Sequence, residues 1–276
     1  MNNTSSGFID VGGGRLYYEM TGKGTTLVLT HAGFLDSGMW DGQWEDFSRS
    51  FQVIRFDMRG YGKSSPAQGP VCRRDDLYHL LQELAVERAV LLGCSMGGEV
   101  NLDLALEHPE IAAGLVLVSA TPSGFQPQGE PPANLLEMMA AVQQGDLERA
   151  SDLQIRIWVD GPFRRPEQVE ARLRQRAAEM NRITLENETW ARADAKPLRP
   201  LVPPAIQRLG QVRIPTLVVA GALDHPEILR AADLLQNRIQ GAQKVILHDS
   251  AHVPNMEKPV EFNLAVLSFL SRAGIS

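Results

Sequence analysis

Ala89-Val90-Leu91-Leu92-Gly93-Cys94-Ser95-Met96-Gly97-Gly98 is the stretch from which the rest of the chain can be read. A short apolar run ends in Gly-x-Ser-x-Gly. A helical pattern follows through Val100, Leu102, Leu104, Ala105 and Leu106, closing at His108-Pro109. Strand, sharp turn and helix in that order are the context a nucleophile elbow requires. On this reading Ser95 takes a positive φ that lifts its hydroxyl out of the turn, at a cost for a residue with a Cβ. Gly93 and Gly97 remove side chains that would collide where strand and helix meet. The Met96 amide, first in the helix, is left to face a developing anion. The plainer alternative is a glycine-rich turn holding an incidental serine, and the flanking strand and helix favour the nucleophile.

Working outward, Phe8–Val11 and Arg15–Met20 around Gly12-Gly13-Gly14 read as a β-hairpin. Thr26–Thr30 is a continuous apolar strand of the kind buried in a parallel sheet, and it ends at His31-Ala32-Gly33-Phe34. A helix through Trp44 and Phe47, a strand Gln52–Phe56 and a helix from about Arg74 to Val86 lead to the elbow. Ala113–Val118 is a further buried strand. This alternation predicts a doubly wound, mostly parallel α/β sheet with helices on both faces. It stops from about Gly124 to Pro204, where helical patterns are expected at Asn134–Val142, Leu147–Trp158 and Glu167 to about Ala193. The arginines of the last, Arg172, Arg174, Arg176 and Arg182, read as a solvated face among Glu170, Glu179 and Glu186. Sheet character returns at Pro215–Gly221, then a helix Glu227–Ile239, a strand Lys244–Leu247 and a helix near Val260–Phe269. The expected division is a core of residues 1–122 and 205–276 with a helical cap of residues 123–204 inserted between its halves.

At 276 residues and 43% hydrophobic, the chain can bury one large core. A net charge of −6 and the lack of a basic stripe argue against a nucleic-acid partner. No apolar run reaches membrane-spanning length, and residues 1–7 lack the basic and apolar regions of a signal peptide. Cys72 and Cys94 give neither a disulfide framework nor a metal-ligand cluster. The expectation is a soluble, cytoplasmic protein that uses no cofactor and no metal.

A serine hydroxyl is a weak nucleophile, so it needs a base, and the base needs an acid to orient it and stabilise its charged form. Asp224 follows the strand Leu217–Ala220, and His252 follows Val245–Leu247. Both therefore emerge at the carboxyl edge of the sheet, as Ser95 does, where open α/β sheets bind ligands. The chain order Ser, Asp, His is the one this architecture uses. His225 and His248 remain rivals for the base because they adjoin the right loops, and Glu227 is the rival acid. His31 is expected to hydrogen-bond locally, while His79 and His108 fall in or at the end of helices. The strand ending at Val118 is followed by no carboxylate. For the oxyanion, the Gly33 amide, with Phe34 as fallback, joins that of Met96. The Phe34 ring is assigned to the pocket wall together with Trp158 and Trp190; Phe163, Met138 and Met139 are further candidates for lining or for the cap's own core.

With these residues in place, the chain resembles the α/β-hydrolase family along its length, in the branch of esterases, lactonases, perhydrolases and carbon–carbon bond hydrolases. The resemblance rests on His31-Ala32-Gly33, Asp57-Met58-Arg59-Gly60-Tyr61-Gly62-Lys63-Ser64, Gly93-Cys94-Ser95-Met96-Gly97-Gly98, Gly221-Ala222-Leu223-Asp224 and Ala251-His252. Ala32 stands where the family more often has glycine. The family resemblance implies a chiefly structural role for the Asp57–Ser64 loop. Ser-Met-Gly-Gly is also the elbow of 3-oxoadipate enol-lactonases and acyl-homoserine lactonases, which implies a small-molecule ester or lactone as substrate. Carbon–carbon bond hydrolysis, perhydrolysis with the same triad, and a ligand receptor on a hydrolase scaffold are the alternatives.

Overall fold

The computed structural model describes residues 4–276. In chain order it contains β1 (Ser5–Val11), β2 (Gly14–Thr21), β3 (Thr26–Thr30), α1 (Asp41–Ser48), β4 (Gln52–Phe56), α2 (Arg73–Glu83), β5 (Ala89–Cys94), α3 (Met96–Glu107) and β6 (Ala112–Val118). Then come α4 (Leu135–Gln144), α5 (Leu147–Ile155), α6 (Ala171–Glu186), β7 (Thr216–Gly221), α7 (Pro226–Arg238), β8 (Gln243–Leu247), α8 (Pro254–Glu257) and α9 (Pro259–Arg272). The strands form one sheet in the order β1-β2-β4-β3-β5-β6-β7-β8. β1 and β2 form the expected hairpin, and β2 meets β4 antiparallel. Every pairing from β4 onward is parallel.

The central strands β3, β5 and β7 are buried at every residue, which is why they read as unbroken apolar runs. Successive side chains leave a strand on opposite faces, so each run feeds two cores. Val28, Leu91, Leu115, Leu117 and Val218 pack with Leu77, Leu104 and Leu235 from α2, α3 and α7. Leu29, Leu92, Val116 and Val219 pack with Phe47 of α1 and Phe262, Val266 and Phe269 of α9.

Between β6 and β7 the described chain forms no strand, and α4, α5 and α6 occupy the interval. Two helices differ from expectation. α5 does not stay α-helical to Trp158: it widens into a π-helical turn over Arg156–Asp160. The helical pattern extending to Ala193 is broken at Glu188, which takes φ +50, and resumes as a separate π-helical turn over Trp190–Asp194. The break is anchored, because Asn187 Nδ2 (3.0 Å) and Thr189 Oγ1 (2.7 Å) both donate to Gly60 O. Of the α6 arginines, Arg172, Arg176 and Arg182 are exposed as expected, Arg176 lying 3.1 Å from the equally exposed Asp41, whereas Arg174 turns partly inward, its Nε 2.9 Å from the buried Asp160 Oδ1.

Candidate active site

The elbow has the geometry its glycines imply. Ser95 adopts φ 54, ψ −118, between β5 and α3. Its amide donates to Val118 O at 2.8 Å, and its carbonyl accepts from Gly98 and Glu99 at 2.9 and 3.1 Å, which holds a conformation costing about 1–3 kcal/mol. A Cβ on Gly93 would fall 2.3 Å from Gly97 O, and one on Gly97 would fall 2.3 Å from Thr30 O. Both contacts are to backbone, so strand and helix can cross here only as glycine.

Asp224 and His252 meet. His252 Nδ1 lies 2.9 Å from Asp224 Oδ2, with the two side chains 1% and 2% exposed. Asp224 Oδ1 accepts from the His225 amide at 2.7 Å, so both carboxylate oxygens are engaged. The two loops are laced by Ala222 N to Leu247 O and Leu223 N to Ser250 O, each 2.9 Å. Cys94 Sγ lies 3.6 Å from His252 O, setting the histidine loop against the elbow. His252 Nε2 is buried and has no hydrogen-bond partner among the described residues. An acid holding Nδ1 and a free Nε2, on a histidine whose main chain lies against the elbow, suit a general base for Ser95.

The rival residues are occupied elsewhere. His225 Nδ1 accepts from the Glu227 amide and caps α7. Glu227 itself accepts from the Gln128 and Gly129 amides and pairs with Arg230. His248 is exposed. His108 stacks on Tyr78 at 3.9 Å, and His79 lies beside Glu83 on the surface of α2.

The loop after β3 is shaped by His31. Its Nε2 accepts from the Met58 amide at 2.9 Å, so the ring proton sits on Nδ1 and is donated to Ala32 O at 2.8 Å. Ala32 O also accepts from Leu35 N at 3.1 Å. In a trans peptide N–H and C=O point opposite ways, so this knot turns the Gly33 N–H away from itself. Gly33 and Met96 are neighbours, since a Cβ on Gly33 would lie 3.1 Å from Met96 Cε. Burial drives the His31 pKa down to about 4, with Asp57 opposing, and keeps the ring neutral. Asp57 performs the structural role expected of its loop, its two oxygens accepting from Ser37 N and Lys63 N at 2.8 Å each. The alanine at position 32 leaves the loop intact; it is fully buried, its amide against Met39 Sδ at 3.3 Å.

Phe34, Trp158 and His252 form an aromatic group. Trp158 lies 4.6 Å from the His252 ring, and Phe34 lies 6.5 Å from Trp158 and 6.4 Å from His252, centroid to centroid. Trp190 is a correction to the expected wall: it is 64% exposed. Its turn faces inward through Ala193, which packs on Ala67 and Val71, and through Asp194, held by Arg73 Nε at 2.6 Å and Tyr61 Oη at 2.7 Å, which leaves the indole outside. Phe163 is 59% exposed, whereas Met138 packs with Ala141, Ala150 and Leu153 in a small core of the insertion.

Three features had no signal in the sequence. Tyr61 Oη lies 2.9 Å from Gly33 O, linking the insertion's Asp194 to the glycine loop. Glu257 accepts from the amide of Ala251, beside His252, at 2.7 Å. Glu99, one turn beyond Ser95 on α3, is pushed up to about 7 by burial and then by Asp103. Tyr61 lay inside a quoted loop, but nothing in its spacing marks a partner more than a hundred residues away.

A mostly parallel sheet with an elbow serine, and an aspartate–histidine pair on the following strand ends, defines an α/β hydrolase. The alpha/beta hydrolase fold family matches residues 25–259, and the chain belongs to it. It is 27% identical over 265 residues to a pimeloyl-[acyl-carrier protein] methyl ester esterase of Yersinia enterocolitica, covering 94% of this chain and 98% of that one. Among solved structures, a hydrolase from Pseudomonas aeruginosa PA01 is 31% identical with a TM-score of 0.77, covering 96% of this chain and 98% of that one. Est816, described as an N-acyl homoserine lactone degrading enzyme, is 26% identical with a TM-score of 0.71, covering 95% of this chain and all of its own. Among the described residues no helix is long and apolar enough to cross a membrane.

Proposed function

We propose that the protein is a serine hydrolase of small carboxylic esters or lactones working through an acyl-enzyme on Ser95. The observation that carries this is the buried Asp224–His252 pair with Nε2 unpartnered, on a loop set against the strained elbow. His252 Nε2 takes the hydroxyl proton as Ser95 Oγ attacks the carbonyl carbon. Asp224 fixes the Nδ1–H tautomer and stabilises the imidazolium. The Gly33 and Met96 amides hold the tetrahedral oxyanion, which collapses as His252 returns the proton to the leaving oxygen. Water, activated by the same Nε2, then releases the acid and restores Ser95. Residues 123–204 serve as a cap over a core of residues 1–122 and 205–276. Phe34 and Trp158 wall the acyl site, an apolar surface suited to the acyl chains that the named relatives' substrates carry. Two buried, unpaired cysteines, Cys72 and Cys94, accord with a reducing, cytoplasmic setting.

The test is intact mass after incubation with a fluorophosphonate, then turnover of a panel of p-nitrophenyl esters and lactones. One adduct on Ser95, absent in S95A and H252A, is expected. D224N should lose about 10⁴-fold in kcat through the wrong tautomer. A wild-type protein without an adduct would overturn the reading in favour of a binding role, and S95A retaining full turnover would overturn the mechanism.

A further inference from the structure

Trp158 and the loop carrying His252 are held by one buried ion pair. Arg164 follows the π-helical turn and reaches back to it, Nε donating to Asp160 O and Nη2 to Val159 O, both at 2.8 Å. Nη2 also lies 2.7 Å from Glu257 Oε2, with the side chains 12% and 4% exposed. The other carboxylate oxygen of Glu257 accepts from Ala251 N at 2.7 Å. A continuous path therefore runs from the main chain just after Trp158, through Arg164 and Glu257, to the peptide just before His252. Gly161, at φ +74, closes the turn onto both loops: a Cβ there would fall 2.6 Å from Leu223 O and 2.9 Å from Ala251 Cβ. Buried ion pairs can often be replaced by apolar residues without loss of stability, so the value of this one lies in what it orients. Arginine suits the task because its planar fork serves two carbonyls and a carboxylate at once.

We infer that Arg164 and Glu257 are positioning residues for the proposed Ser95–Asp224–His252 site, setting the His252 loop and the Trp158 ring against each other. This rests on the catalytic reading above. The pair also keeps the charge beside His252 balanced. Around that histidine the packed elements carry Asp224 and His225 on the acid loop, Cys94 on the elbow, and His248 and Asp249 on its own loop. Glu257 comes from α8, and Asp160, Arg164 and Arg174 come from the insertion. Burial holds the Glu257 carboxyl above the usual range, Asp224 adds to that, and Arg164 opposes it.

The experiment is the pH profile of kcat/KM on a small p-nitrophenyl ester for wild type, E257Q, R164M, R164K and the double variant R164M/E257Q, with melting curves to show folding. The acid limb reports the essential base of the free enzyme. E257Q keeps an acceptor for Ala251 but leaves the Arg164 charge unbalanced, so the limb should move down by roughly half to one pH unit. R164M should not move it down, and the double variant should restore it. R164K keeps the charge without the fork, so the limb should stay while kcat falls. If E257Q leaves the limb unmoved, or R164M shifts it down as well, with wild type still labelled on Ser95, the positioning role is wrong. If R164M does not fold, E257Q decides. A wild type without label on Ser95 removes the catalytic reading, and this inference with it.

Discussion

Replacing His31 with glutamine tests the shape of the glycine loop through its dependence on pH. The native ring is fully buried and must be neutral, because Nε2 accepts from the Met58 amide. A protonated ring would set a second donor against that amide and place a charge where no water reaches. Burial therefore holds its pKa at about 4, against about 6.5 for an unperturbed histidine. Between these values the unfolded chain binds a proton that the native chain refuses. The stability of the native state is fully present above pH 6.5 and falls as pH drops towards 4. The loss from this one group is about 2 kcal/mol at pH 5 and about 3 kcal/mol at pH 4. Glutamine does not titrate, yet it offers an acceptor to Met58 and a donor to Ala32 in poorer geometry. H31Q should be less stable than wild type by about 1–2 kcal/mol at pH 8. By pH 5 the gap should close or reverse. Urea unfolding at pH 8, 6.5 and 5 measures this, and the raised carboxyls Asp36, Glu99 and Asp103 titrate in both proteins and cancel in the difference. Parallel stability curves would refute a neutral, buried His31. The same variant should lower kcat, by up to about 10³-fold if the Gly33 amide loses its aim entirely.

G97A places a Cβ 2.3 Å from Thr30 O and 2.6 Å from His31 O, so the end of β3 must retreat. It should cost about 2–4 kcal/mol in urea unfolding and slow fluorophosphonate labelling of Ser95. Glu99 titrates at about 7 in the native state, well above an unfolded carboxyl. Its stabilising protonation is complete below pH 4.5 and lost as pH rises through 7, so E99Q should gain on the order of 1–3 kcal/mol over wild type at pH 8 and none at pH 4. W158A removes the ring whose centroid lies 4.6 Å from that of His252. KM for esters with a bulky acyl group should rise about tenfold with little change for acetate esters, as read from initial rates; equal effects on both would place Trp158 outside the acyl wall.

The sheet was legible because its signals are local. β3 and β4 fall on the residues expected, β7 and β8 within one residue and β5 within two; β3, β5 and β7 were the plainest, since a strand buried on both faces is apolar throughout. Residues with chemistry on a strand end were legible for the same reason: parallel strands deliver them to one edge whatever lies between. The π-helical turn at Arg156–Asp160 carries no such mark, because its widening follows from how Arg164 and Gly161 dock it on other loops. Trp190 misled because an aromatic in a helical pattern reads as buried; the pins at Thr189 and Asp194 decide which side of its turn faces in.

What the sequence hides here is consistently a tether between distant segments, and the tethers converge on the loops of the proposed site. Glu257 grips the amide before His252 and is met by Arg164. Tyr61 lies on Gly33 O and is met by Asp194. Asn181 Nδ2 donates to Phe34 O at 3.0 Å. In each case a polar group from residues 123–204 is in the chain of contacts, Asn181 directly on the loop and Arg164 and Asp194 on the side chains, Glu257 and Tyr61, that reach it. Were that segment only a lid, none of these contacts would depend on it. Exchanging the segment for one of different pocket shape should therefore alter kcat along with substrate choice unless Arg164, Asn181 and Asp194 are kept. A chimera retaining those three should recover the wild-type rate of Ser95 labelling, and one lacking them should not. Equal labelling in both would show that the loops hold themselves.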